Sequence, residues 1–418
     1  LARRGLHASC VARGRIANRS AMLAPQTSTL ASHKIAIATL WDGVPDYACA
    51  VMHYCQHAQR LADVFVNGLG AASADLLLML TSDHMYEAKK GNCRCKRLGK
   101  RFCPECPLEG SSGGLEFGRA IVKSDCPQMK LHTLDPRLRE ATRRYASNPK
   151  GGCRNKWQAT CMYKWWVVSL VEYSLVILAD LDVQLLRPEQ PVALVTERWR
   201  RTWQYAVPAD GRPRVLAEGD HWTPFNGGLW TLGNPSKALY EDGLAQLHNG
   251  VWNATHGFNL LGTPLEHFER FPALQSRMRK THMVHQNTWD FAFGDCDQGF
   301  LFHMFFLSPP RDGLSRPGGD FEPTELACKP RDWHTGTDVD ARCPHTARHY
   351  WGPRKPWQLE SDNAGRVAHY LAHTDFSIQE RTSMCAQRFA GWMASGRLPK
   401  VNASRPPKKN NGKMQRVR

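Results

Sequence analysis

Two short segments decide the fold class. Asp75–Thr81 (DLLLMLT) and Leu175–Ala179 (LVILA) are apolar almost throughout, with no polar alternation. Runs this short lack the length of a core helix, so they suit strands covered on both faces. Strands of that kind belong to parallel sheets with helices packed on each side. His33–Leu40 (HKIAIATL), followed by the turn-rich WDGVPD, reads as the first strand. Met129–Leu134, Trp203–Val207 and Gly228–Leu232 read as further strands. Between them, Tyr47–Ala62, Trp157–Tyr173, Pro235–Leu247 and Asp297–Leu307 carry helical periodicity. Asn234 is the expected N-cap of the third of these, with proline at the first helical position. Ser308–Cys343, rich in Pro, Gly and Asp, is expected to be a long loop. The expected class is therefore α/β, a mostly parallel central sheet flanked by helices. Ligand sites in such sheets lie at the carboxyl ends of the strands.

A net charge of +17 first suggests a nucleic-acid partner, but its distribution argues against one. Residues 1–33 carry five arginines and no acid, and residues 394–418 carry eight Lys or Arg and no acid. Residues 89–106 add seven bases against Glu105. Without these three stretches the body is close to neutral, and it has no basic helix interleaved with aromatics. The expected organisation is a basic disordered tail or stem over 1–33, one domain over 34–393, and a basic disordered tail over 394–418. With 42% hydrophobic residues in 418, one large domain with insertions is feasible. The first residue is Leu, so 1–33 is expected to be the remnant of a transit peptide or a stem behind a membrane anchor. Membrane association is expected only through such an anchor, because no apolar run approaches 18 residues.

Fourteen cysteines and the sequons at Asn18, Asn253 and Asn402 favour an oxidising secretory lumen such as the Golgi, with an organelle or the cytoplasm as the alternatives. The basic, Gly-rich segment 89–114 reads as an insertion holding Cys93, Cys95, Cys103 and Cys106. That spacing fits two disulfides or a structural zinc site.

Four motifs carry chemistry. In VILADLDVQLL, Asp180 and Asp182 stand two apart at the end of a buried strand, where both can face one hard cation. The same pair could merely cap a strand end, and D-x-D recurs at Asp295–Asp297 and Asp338–Asp340. HYWGPRKPW offers the imidazole of His349, an open backbone at Gly352 and a cation for phosphate at Lys355, or else forms a surface loop. FNGGLW supplies Asn226, Gly227 and Gly228, and DCDQGF supplies Asp297 and Gln298. Glycines admit close backbone approach and short polar side chains read sugar hydroxyls, though either motif is also common turn material.

In this order, around a D-x-D and with Lys164 upstream, the motifs resemble glycosyltransferase family 8, the glycogenin-like enzymes of the GT-A fold. The resemblance covers roughly residues 34–360 and is tightest at the motifs. It implies a retaining hexosyltransferase that uses a UDP-sugar donor and a carbohydrate or glycoconjugate acceptor. It also implies a divalent metal, normally manganese, on Asp180, Asp182 and His349. Gly352 and Lys355 would hold the diphosphate, with Lys164 near its sugar end and Thr39 near the base. Asn226, Gly227, Asp297 and Gln298 would meet the transferred sugar. A catalytically inactive nucleotide-sugar or glycan-binding protein is the alternative on the same fold. One departure stands out: the family often has another acid three residues before the D-Q-G aspartate, and here that position is Gly294.

Overall fold

The computed structural model describes residues 30–41, 48–81, 119, 122–148, 152–153, 156–186, 190–217, 223–268, 287–291, 293–308, 327–328 and 347–349. Its centre is a six-stranded sheet of β1 (Lys34–Trp41), β2 (Ser73–Leu80), β3 (Met129–His132), β4 (Leu175–Ala179), β6 (Arg214–Ala217) and β7 (Leu229–Gly233). The spatial order is β3-β2-β1-β4-β7-β6. β3, β2, β1 and β4 pair in parallel, and β7 runs antiparallel to both β4 and β6. The mixed α/β class with a mostly parallel sheet is thus the one the apolar runs require.

Alternation along β1 shows how the layers form. Ala36 and Ala38 face one side with Leu77, Met79, Val176 and Leu178. That side is covered by α2 (Pro136–Ala146), a 3-10 helix (Lys156–Ser169), α4 (Lys237–Asn249) and α6 (Asp297–Phe302). Ile35, Ile37 and Trp41 face the other, under α1 (Ala48–Asp63) and α3 (Val192–Ala206). Five buried residues of β4 therefore have no polar face to show, which is why that run reads as unbroken apolar sequence.

Three expectations need correction. Trp203–Val207 is not a strand. Trp203 lies in α3, where Val195, Trp199, Thr202, Trp203 and Ala206 are buried at helical spacing. The N-cap of α4 is Ser236, whose hydroxyl accepts from the Leu239 N–H at 3.3 Å, while Asn234 sits in the left-handed region at φ 49°. Within the expected loop 308–343, Ala327–Cys328 forms a strand, β10. It pairs with β11 (Ala347–His349), which pairs antiparallel with β5 (Val183–Gln184). Two short strands, β8 (Trp252–Asn253) and β9 (Gly257–Phe258), form a hairpin ahead of α5 (Pro264–Phe268).

Among the described residues, two disulfides staple these layers. Cys55–Cys126 ties α1 to the turn before β3, and Cys153–Cys296 ties the segment after α2 to the residue preceding α6. Neither was legible in the sequence, because fourteen cysteines admit too many pairings. The insertion cysteines 93, 95, 103 and 106 lie outside the described residues, as do both tails. Among the described residues no helix is long and apolar enough to cross a membrane.

α4 packs closely on the 3-10 helix at Gly243, where a Cβ would stand 2.2 Å from the Trp165 ring. Gly243→Ala should therefore destabilise the fold by about 1–3 kcal/mol through overpacking. Urea denaturation measures this, and a loss below 0.5 kcal/mol, roughly the surface-substitution range, would contradict the packing described.

Candidate functional site

From β1 the sheet grows through β2 and β3 on one side, and through β4 and β7 on the other. The carboxyl ends of β1 and β4 thus border a topological switch point, where open α/β sheets bind ligands. Asp180 follows β4 directly. Its N–H donates to the Gly228 carbonyl at 2.8 Å, and its own carbonyl accepts from Val183 at 2.9 Å, turning the chain into β5.

Both carboxylate oxygens of Asp180 meet the Lys164 ammonium, at 2.8 and 2.9 Å. Lys164 comes from the 3-10 helix and is 4% exposed. It also donates to the Gly227 carbonyl at 3.0 Å and stands 3.4 Å from Asp297 Oδ2. Burial alone would depress this ammonium, but the charge of Asp180, then that of Asp297, holds it above the usual lysine range. The Asp297 carboxyl is raised by burial against the opposing pull of Lys164. Tyr54 of α1 donates to the Ala38 carbonyl at 2.8 Å, and burial, then the Asp180 charge, raises its phenol. A cation in this position offsets the desolvation cost of the buried Asp297 carboxylate.

The second half of the site is built by strand pairing. Antiparallel β5 and β11 place His349 opposite Val183. His349 Nε2 stands 3.4 Å from Asp182 Oδ1, and both side chains are about nine-tenths buried. His349 Nδ1 is buried without a hydrogen-bond partner among the described residues. The FNGG turn fits between the halves. Asn226 Oδ1 accepts from the Gly228 N–H at 2.7 Å. A Cβ on Gly228 would come within 2.4 Å of His349 Cε1, and one on Gly227 within 2.7 Å of Asp297 Oδ2. Both glycines are required by close approach, and the role of Gly228 against His349 was not readable from the sequence.

The structure thus brings Lys164, Asp180, Gly227 and Asp297 together, with Gln298 Cγ 3.5 Å from the place a Gly227 Cβ would take. It brings Asp182, His349, Asn226 and Gly228 together beside them. Thr39 lies near the end of β1, fully buried, its hydroxyl without a hydrogen-bond partner among the described residues. Gly352 and Lys355 lie outside the described residues. No group of three or more His, Cys, Asp or Glu side chains is gathered for a metal among the described residues. The assembled donors are Asp182 and His349, while Asp180 is engaged by Lys164.

The segment leading to Asp297 is itself constrained. Phe293 has φ 59°, a conformation that costs an aromatic residue about 1–3 kcal/mol and persists only where surroundings impose it. Gly294, where the family pattern often has an acid, has no room for a side chain: a Cβ would stand 2.7 Å from the Trp289 carbonyl. The first turn of α6 packs on the same backbone, since a Cβ on Gly299 would overlap the Gly294 carbonyl.

No protein-family model matches the chain, and no curated protein matches it. Among solved structures it is similar to the bifunctional glycosyltransferase WbbM, at 12% identity and TM-score 0.38, over 84% of this chain and 52% of that one. It is similar to GlyE of Streptococcus pneumoniae TIGR4 at 10% identity and TM-score 0.32, over 89% and 66% of the two chains. Mouse xyloside xylosyltransferase 1 matches at 12% identity and TM-score 0.34, over 76% and 97%. The chain thus spans about half the length of WbbM. Likenesses this loose say nothing of donor, acceptor or mechanism.

Proposed function

We propose that this chain is a glycosyltransferase of the family 8 type, moving a hexose from a UDP-sugar to a carbohydrate or glycoconjugate acceptor with retention of configuration. The observation that carries the reading is the convergence of four distant motifs at the switch point. Buried Lys164 and Asp297 and the partly exposed Asp180 form one charge cluster, with Asp182 and His349 beside it across the FNGG turn.

The donor set suits a divalent ion such as manganese, for which mixed carboxylate and imidazole ligands are natural. Two donors on adjacent positions of one ion stand about 3–3.5 Å apart at bond lengths near 2.1 Å, and Asp182 and His349 stand 3.4 Å apart. Asp182 and His349 would hold the ion, with Asp180 as the third ligand. An ion bound there would neutralise the departing diphosphate.

The chain's own groups do the rest. Lys164 bridges the Asp180 and Asp297 carboxylates and fixes the Gly227 carbonyl. Gly227 and Gly228 leave the backbone bare where a donor sugar would lie. Asp297, Gln298 and Asn226 are assigned to the sugar hydroxyls, Thr39 to the base, and Gly352 and Lys355 to the diphosphate. A secretory lumen is the compartment we assign, supported by the Cys55–Cys126 and Cys153–Cys296 disulfides and the sequons.

A second reading, a binding module without turnover, is favoured by one observation: Lys164 already occupies both oxygens of Asp180. Incubation with a panel of UDP-sugars, with manganese and then with chelator, separates the two. Transfer predicts metal-dependent release of UDP from at least one donor. Donor binding without release across the panel would establish the module instead.

A further inference from the structure

The segment that presents Asp297 is held from outside the pocket by two residues with no part in the chemistry above. Cys296, immediately before Asp297, is the N-cap of α6 and is bonded to Cys153. Asp295, one residue earlier, has its carbonyl bound by the Tyr145 hydroxyl at 2.8 Å. Both anchors come from one place, the carboxyl end of α2. Tyr145 is in its last turn, and Cys153 is carried there by Gly152, which packs on the Tyr145 carbonyl. Tyr145 is 1% exposed and stacks on Phe258 with ring centroids 5.1 Å apart, so its hydroxyl has a fixed position.

The held segment would not keep its shape unaided. Phe293 sits at positive φ, and the Phe293 carbonyl accepts from both Cys296 and Gly299, which bends the chain back onto the first turn of α6. At the far end of this bend, Asp297 Oδ2 faces Lys164 at 3.4 Å, a longer contact than those Lys164 makes with Asp180. We infer that the Cys153–Cys296 disulfide and the Tyr145 hydroxyl are positioning elements for the proposed transfer. They set where the Asp297 carboxylate stands relative to the donor sugar, while the nucleotide is held independently by Asp182, His349 and the end of β1. The inference rests on the transferase reading and adds to it a separation of labour: α2 governs the sugar end of the donor alone.

The test compares three variants of the full chain: Cys153→Ser with Cys296→Ser, Tyr145→Phe, and Cys55→Ser with Cys126→Ser. The last opens the Cys55–Cys126 disulfide, on the opposite layer of the sheet, and serves as the control. UDP release is measured as kcat and KM, and affinity for UDP with manganese by calorimetry. Displacing Asp297 by an ångström is expected to lower kcat about 10- to 100-fold in the Cys153/Cys296 variant and less in Tyr145→Phe. UDP affinity should stay within about twofold in both, because the altered contacts lie beyond the diphosphate. The control should lose thermal stability and keep its kcat. Equal falls in kcat for the two disulfide variants, or a fall in UDP affinity parallel to kcat, would overturn the inference. Should the Cys153/Cys296 variant not fold, Tyr145→Phe decides by the same criterion, and an unchanged kcat there overturns it. If the wild-type protein releases UDP from no donor, the transferase reading fails by itself. Positioning is then read from the acetylation rate of Lys164 by acetic anhydride, followed by peptide mass spectrometry. A rate several-fold faster in Tyr145→Phe or the Cys153/Cys296 variant than in the control would uphold the positioning, and equal rates would overturn it.

Discussion

Lys164→Met should cost about 3–5 kcal/mol of stability, the usual penalty for stripping one partner from a buried ion pair. Asp180 keeps a side chain 32% exposed and can recover hydration, whereas Asp297 is 4% exposed and cannot. The loss should therefore fall on Asp297, and it should depend on pH. The carboxyl of Asp297 is already raised by burial, with Lys164 opposing the rise. Removing Lys164 lets the folded-state value climb further above the unfolded one. A carboxyl whose folded pKa is raised binds its proton longer when folded, so stability is retained at acid pH and falls as pH rises through that window. The variant should be least impaired below the unfolded carboxylate value, about 3.9, and progressively worse as pH rises from there toward the raised folded value. Adding Asp297→Asn should restore much of the loss at neutral pH, giving a double-mutant coupling well above 1 kcal/mol. Urea titrations across pH measure this directly. A loss under about 1 kcal/mol, flat with pH, would mean that the pair is solvent-exposed in solution.

The second large effect concerns Asp182. Asp182→Asn preserves shape and removes the charge that faces His349 Nε2. Turnover of the preferred UDP-sugar is expected to fall about 10²- to 10³-fold, the range for losing one well-placed electrostatic stabiliser of a leaving group. Stability should change little by comparison, since the position retains a polar side chain of the same volume. His349→Ala should lower turnover in the same direction, and added manganese should recover part of it. A change within about threefold for both variants would remove Asp182 and His349 from the chemistry and favour the binding-module reading.

How much of the fold and site was legible in the sequence depends on the range of the interactions. β4 and the placement of Asp180 were readable because a doubly covered strand writes its burial into consecutive residues. The start of α6 at Asp297 was readable from the motif that opens it. At Trp203 the sequence misleads, because a short aromatic stretch of α3 looks like a strand unless the burial from Val195 onward is traced at helical spacing. The partnership of Asp182 with His349 was expected only from the order of the motifs, because it depends on β5 pairing with β11 across a long stretch of chain and no local pattern encodes that pairing. The same holds for Cys153–Cys296, which spans 143 residues. Gly228 looks like turn chemistry; only the imidazole packed against it shows why no side chain fits.

The most direct test of the central claim is manganese binding monitored by electron paramagnetic resonance, with and without UDP. The account predicts that wild-type protein depletes the free-ion signal, more strongly when UDP is present, and that Asp182→Asn and His349→Ala each abolish the UDP-dependent part. UDP binding that is equally tight in chelator, or manganese binding indifferent to both substitutions, would contradict it.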